Sequence, residues 1–268
     1  VSGDLVSLAG PLLDGLADLD DGALAVALAE EAGRRLLDVR ATSGLEGRAL
    51  KDAGDAAAQA FLAAALTAVR PADAVLSEEA ADSSARLDAS RVWIIDPLDG
   101  TREFSEHRHD WAVHVALWQD GTLTDGAVAL PGRGTTLSTA TPAVLPERAI
   151  DAPIRIAVSR SRPPALLDDV VAALAEIGQV AELVPMGSAG YKCSAVVLGE
   201  ADAYVHAGGQ YEWDSAAPVA VARAAGVHTS RVDGSPLVYN RPDPSLPDLI
   251  IARPELAALV LAAARPRG

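Results

Sequence analysis

The stretch "TPAVLPERAIDAP", residues 141–153, separates two different grammars, and nothing else in the chain constrains the fold as strongly. Before it, "DAVLS", "RVWIID", "WAVHVALWQ", "DGTLTDGAVALP" and "GRGTTLSTA" read as short strands joined by Asp-Gly and other glycine turns, which predicts an antiparallel meander. After it, "IRIAVS", "ALLDDVVAALAEIG", "VAELVPM", "YKCSAVVLGE", "ADAYVHA" and "SAAPVAVARAAG" alternate strand with helix, which predicts α/β units with largely parallel pairing. The expected organisation is an α+β sub-domain over residues 1–150 and an α/β sub-domain over 151–268. Ahead of the meander, Leu24, Ala27, Leu28, Leu36 and Leu37 recur at helical spacing and predict an amphipathic helix over 22–40. "GLEGRALKDAGD" then breaks that pattern. Its glycines predict a mobile loop, ending at Asp55 before the alanine-rich helix "AAAQAFLAAALTAV".

The chain has 268 residues and is half apolar, enough to bury a sizeable core. Its single cysteine, Cys193, excludes an internal disulfide, and no apolar run reaches the roughly 18 residues of a membrane span. "VSGDLVSLAG" lacks the basic and apolar regions of a secretory signal, so a cytoplasmic setting is expected. The net charge of −15 argues against nucleic-acid polymers and anionic membranes as partners. An anionic ligand would need a local reversal of sign, which bound divalent cations supply within an acidic protein.

The chemistry concentrates where apolar strands stop in carboxylates. In "VWIIDPLDGTREF", Pro97 fixes one φ and cannot extend a ladder, so Asp96 and Asp99 are free to converge with the Leu98 carbonyl between them. Such hard oxygens suit Mg²⁺ or Mn²⁺. Gly100 permits close backbone approach, and the amides of Gly100 and Thr101 could open a helix and hold a phosphate oxygen. "LSEEA" ends another strand in Glu78 and Glu79, and "YEWDSAAP" places Asp214 at a helix N-terminus. Taken one at a time, these are also what an Asp-Gly turn, solvated glutamates and a helix cap look like. Three acidic stops at element ends can instead share one crevice. The spacing of a calcium EF-hand is absent.

"LSEE", "WIIDPLDGTREF" and "YEWDSAAPVAVARAAG" together resemble the magnesium-dependent, lithium-sensitive inositol monophosphatase superfamily over nearly the whole chain. Arg-Glu-Phe after "DGT" is closer to the branch that acts on 3′-phosphoadenosine 5′-phosphate than to the inositol enzymes. The resemblance implies a layered αβαβα sandwich, usually a homodimer. It implies two Mg²⁺ ions held by Glu78, Asp96, Leu98, Asp99 and Asp214, with a third near Asp55 and Mn²⁺ able to substitute. By the same resemblance Asp55, Thr101 and Glu78 activate a water that attacks the phosphate without a covalent phosphoenzyme. The matching position for Asp55 is written "KDAG" here, and a plain helix cap is its alternative role.

Substrate choice falls to groups that follow strands in the second half: Ser159, Arg160 and Arg162, Ser188 and Lys192, and His206. With Asp99, Gly100, Thr101 and Asp214 they form the expected substrate-binding set for a small phosphorylated nucleotide. The implied reaction removes the 3′-phosphate to give AMP, and acts likewise on 3′-phosphoadenylyl sulfate, within sulfate assimilation. His206 stands near where the family often has an arginine, which leaves inositol monophosphatase or fructose 1,6-bisphosphatase activity as alternatives. A metal- and nucleotide-binding sensor without turnover is the alternative outside enzymes.

Overall fold

The computed structural model describes residues 15–265. In chain order it comprises α1 (Asp21–Thr42), α2 (Gly47–Val69), β1 (Ala74–Ser77), β2 (Arg91–Asp99), α3 (Thr101–Ser105), β3 (Ala112–Gln119), β4 (Thr122–Leu130) and β5 (Thr135–Ser138). There follow β6 (Ile154–Ser159), α4 (Leu166–Glu176), β7 (Ala181–Met186), α5 (Ala189–Val197), β8 (Ala203–Tyr211), α6 (Glu212–Ala224), β9 (His228–Ser230), β10 (Ser245–Ala252) and α7 (Ala257–Ala264). The reading of residues 1–10 as lacking a secretory signal lies outside the described residues.

Two five-stranded sheets form, ordered β1-β2-β3-β4-β5 and β7-β6-β8-β10-β9. Strand β2 shows how they stack. Its alternate residues Trp93 and Ile95 face α1 and α2, packing among Leu24, Leu28, Leu36, Leu62 and Leu66. Val92 and Ile94 face the other way, into a core shared with α5, α6 and the second sheet through Val196, Ala216, Val219, Tyr204 and Ile251. A strand covered on both faces loses the polar half of its alternation, which is why "VWII" is a continuous apolar run. The far face of the second sheet buries Ile156, Val205 and Ile250 against Val170 and Leu174 of α4 and Val260 of α7. The order of layers is therefore helix, sheet, helix, sheet, helix: the expected αβαβα sandwich of α+β and α/β character.

The meander β2-β3-β4-β5 is antiparallel as expected, with β1 added parallel to β2. In the second sheet β6 runs parallel to β7 and β8. The expected parallel character stops there, because β10 pairs antiparallel with both β8 and β9. No helix among the described residues is long and apolar enough to cross a membrane.

One sequence expectation fails. The segment read as a mobile loop is helical from Gly47, so Asp55 lies well inside α2 and does not cap it. Leu50, Gly54, Ala58, Phe61, Leu62, Ala65 and Leu66 form one buried stripe, which carries the helix through both glycines. Gly54 is there for close approach: a Cβ at this position would lie 2.8 Å from the Phe104 ring and 3.1 Å from Leu98. The helix thereby rests on the two apolar residues that flank "DGT".

Candidate active site

In a regular strand, residues three apart point to opposite faces. Asp96 pairs with His114 but Asp99 with Ala112, so β2 gains one residue on β3 between the two aspartates. That bulge, at Pro97 and Leu98, reverses the alternation and returns Asp99 to the side of Asp96. Asp96 Oδ1 accepts the Leu98 N–H at 3.0 Å, closing the turn. Asp214 comes from the first turn of α6, where it accepts the Tyr211 N–H at 2.7 Å. Ligand oxygens of Asp96, Asp99 and Asp214 then lie within 4.8 Å of one another.

Neighbouring groups treat the three carboxylates differently. Asp99 is buried, yet its Oδ2 accepts from Ser188 Oγ at 2.5 Å and Gly190 N at 2.7 Å, and lies 3.2 Å from His114 Nε2. Against the opposing effect of burial, His114 and Ser188 hold its pKa down to about 2. Asp96, 1% exposed, is pushed well above its ordinary value by burial and by Glu78, Asp99 and Asp214, and its Oδ2 has no hydrogen-bond partner among the described residues. Burial and Asp99 raise Asp214 to about 6. Glu78, on the more exposed segment after β1, is raised to about 7 by desolvation, Asp214, Asp99 and Glu79.

The cluster opens into a cleft of about 720 Å³. Glu78, Asp96, Leu98, Asp99, Gly100, Thr101 and Asp214 line one end, and Ser159, Arg162, Ser188, Lys192 and His206 are also in its walls. Gly100 caps α3 at φ +91°, and a Cβ there would lie 3.2 Å from both Ser188 and Trp111, so this turn needs glycine. Ser188 caps α5 with its own φ at +43°, its Oγ accepting from Tyr191 N. Lys192 is 5% exposed; its ammonium donates to the Gly187 and Ser188 carbonyls and lies 5.2 Å from the Tyr204 ring centre. Burial lowers its pKa to about 8. His206 bonds the Gly208 carbonyl through Nε2 and leaves Nδ1 unpartnered.

Two expected site residues sit elsewhere. Arg160 is not among the cleft-lining residues; it pairs with Asp110 and with Glu103, which does line the cleft, and Asp110 also accepts the Gly187 N–H, so these carboxylates already use the guanidinium. Arg162 faces the cleft instead. Asp55 is not among the residues lining the cleft; burial and the charges of Glu79 and Asp52 raise its pKa to about 7. Cys193 is buried and its thiol is pushed up by burial, as befits an inert core group.

Sequence reasoning missed His114, Tyr204 and Gln210. His114 is fully buried, bridging the Trp213 carbonyl (3.0 Å from Nδ1) and Asp99. Gly190 makes room for it, since a Cβ there would meet Nε2 at 2.0 Å. A histidine among apolar strand residues is the signal that was available. His114→Ala is expected to lower kcat by about 10-fold to 100-fold and to raise the metal concentration needed for half-activity, because Asp99 loses its orienting partner. Metal-activation curves check this.

Three comparisons bear on the chain. The profile of the inositol monophosphatase family matches residues 21–267. A protein of Mycobacterium leprae named 3′-phosphoadenosine 5′-phosphate phosphatase is 52% identical over 262 residues, covering 93% of this chain and 95% of its own. The 3′(2′),5′-bisphosphate nucleotidase CysQ of Escherichia coli is 33% identical over 197 residues, covering 70% and 78%. Among solved structures, CysQ from Bacteroides thetaiotaomicron superposes with a TM-score of 0.73 at 26% identity, over 85% of this chain and 95% of that one.

Proposed function

Because the chain belongs to the inositol monophosphatase family and is a phosphatase of it, we propose that it removes the 3′-phosphate of 3′-phosphoadenosine 5′-phosphate with Mg²⁺ as cofactor, in sulfate assimilation. One observation carries the reading: a triangle of three carboxylates, with a buried and unpartnered Asp96 oxygen, opens into a cleft that also contains Arg162 and Lys192.

The residues present fit a divalent cation. A buried carboxylate oxygen without a partner costs several kcal/mol, and three carboxylates in one place repel one another. A hard cation removes both penalties, and an oxygen-only donor set suits Mg²⁺ with Mn²⁺ as substitute. Asp96, Asp99, Asp214 and Glu78 would hold two ions, with the segment beside Asp55 available to a third. When bound, such ions lower the pKa of an attacking water and take up charge on the leaving oxygen.

The remaining roles belong to the chain itself. The Gly100 and Thr101 amides, at the start of α3, donate to phosphate oxygens. The Thr101 hydroxyl lines the cleft and would orient the attacking water, whereas Asp55, the expected proton acceptor, is not among the residues lining the cleft and is not assigned that step. Arg162, Lys192, Ser159 and His206 receive the 5′-phosphate and nucleoside. A second anionic group on the substrate explains why cations line a cleft in a protein of net charge −15.

The test is phosphate release from 3′-phosphoadenosine 5′-phosphate, inositol 1-phosphate and fructose 1,6-bisphosphate, with Mg²⁺ and with chelator. The expected kcat/KM preference for the nucleotide is at least about 10²-fold: inositol 1-phosphate lacks the second phosphate that Arg162 and Lys192 would meet, and fructose 1,6-bisphosphate lacks the adenosine that would span the cleft between its two phosphates. A preference for inositol 1-phosphate overturns the nucleotide reading.

A further inference from the structure

Residues 78–85, the segment that carries Glu78, are all exposed, and Arg86 is the first buried residue after it. Arg86 lies in a 3-10 turn, Ser84–Asp88, and is 1% exposed. Its guanidinium holds Asp82 in a fork, Nε to Oδ1 at 2.7 Å and Nη2 to Oδ2 at 2.9 Å. The same group donates to Asn240 Oδ1 at 2.7 Å and to the Arg241 carbonyl at 2.9 Å. Asn240 answers with its side-chain amide on the Arg86 carbonyl at 3.2 Å.

The connection continues to the other side of the cluster. The N–H groups of Asn240 and Arg241 donate to the two carboxylate oxygens of Glu212, at 2.7 and 2.9 Å. Glu212 is 1% exposed and sits in the first turn of α6, two residues before Asp214. Asn240 adopts φ +58°, a left-handed conformation that the clasp holds in place.

We propose that Arg86 is a positioning residue for the metal site: through Asp82, Asn240 and Glu212 it clamps the segment carrying Glu78 to the helix turn carrying Asp214. The inference rests on the reading of Glu78 and Asp214 as metal ligands. A guanidinium is required because four bonds leave it in fixed planar directions, and a lysine ammonium cannot reproduce the fork on Asp82 while reaching Asn240 and Arg241. An exposed segment with one buried anchor has many conformations without that anchor, and metal binding would have to order it each time.

The experiment is calorimetric titration of Mn²⁺ into the metal-free full chain, for wild type, E78Q, R86K, N240G and the double variant E78Q/R86K. R86K is expected to weaken Mn²⁺ binding by about 10-fold to 100-fold, the range found for partners that orient metal ligands. Because Arg86 acts through Glu78, the double variant should bind within about 3-fold of E78Q alone. A purely structural Arg86 would lower the melting temperature in chelator and leave the Mn²⁺ dissociation constant unchanged, and that result overturns the proposal. So do effects of R86K and E78Q that simply add. Should R86K fail to fold, N240G decides, since glycine keeps the left-handed backbone and removes only the side-chain contacts; about a 3-fold to 10-fold loss is expected, and unchanged affinity overturns. Wild type that takes no Mn²⁺ overturns the metal-site reading itself, whereas wild type that binds and variants that bind equally remove only Arg86.

Discussion

Asp96→Asn is expected to lower kcat by at least about 10³-fold, the scale of loss when a group acting as part of one catalytic unit is removed. Asparagine fills the same volume, so the substitution changes charge and little else. Asp96 is 1% exposed; its Oδ1 accepts the Leu98 N–H, and its Oδ2 has no hydrogen-bond partner among the described residues. Glu78, Asp99 and Asp214 all oppose its charge, and the Leu98 N–H that it accepts would be accepted equally by an asparagine Oδ1. The same variant should melt no lower than wild type in chelator, since a carboxylate buried among like charges is a cost to the fold and not a support. It should also lose the rise in melting temperature that metal gives wild type. Normal kcat in Asp96→Asn would remove this residue from the metal site.

The second large effect is a reversal in how stability depends on pH. Without metal, burial and like charges push Glu78 up to about 7, Asp214 to about 6 and Asp55 to about 7, and hold Asp96 well above its ordinary value. A carboxyl whose folded pKa exceeds its unfolded one stabilises the fold while protonated, and that contribution fades as pH rises through the folded pKa. His114, also raised, follows the same direction, while Asp99 at about 2 stays ionised throughout. The chelated protein is thus expected to lose stability from about pH 5 to pH 8. Metal binds the ionised forms, so its contribution grows over the same interval. At 100 times its dissociation constant it adds about 2.7 kcal/mol, or roughly 5–10 °C for a chain of this size. Thermal melts at pH 5, 6.5 and 8, each with Mg²⁺ and with chelator, give the two slopes. Parallel curves would mean that the cluster holds no cation.

The strands as far as β8 were legible because their alternation and turns are local, and the acidic stops because each ends a periodic run; β9 and β10, in a stretch broken by Pro236, Pro242, Pro244 and Pro247, were not read. Asp96 and Asp99 converge as "DPLDGT" suggests, though the bulge that restores their common face appears only in the pairing with His114 and Ala112. Gly54 misled, since a glycine admitted for close packing and a glycine that breaks a helix look alike in one dimension. Arg160 and Arg162 are two residues apart in one loop, and what separates their roles is Asp110, fifty positions upstream in the chain. His114 and the Arg86 clasp escaped notice for the same reason: each acquires meaning from a residue brought near by folding, Trp213 in one case and Asn240 in the other.

The helix α6 lies between the two sheets, and Gly126 of β4 comes so close that a Cβ there would sit 3.0 Å from Ala220 and 3.5 Å from the Ala217 backbone. Glycine against alanine makes this helix a thin spacer. The alanines of "WDSAAPVAVARAA" are then a gauge, fixing how far the first sheet, with Asp96 and Asp99, stands from the second, with Tyr204 and His206. Side-chain thickness at Gly126, Ala217 and Ala220, none of which lines the cleft, thus bears on how far apart its walls stand. Specificity in this architecture can therefore drift by shimming the middle layer while every polar contact keeps its identity.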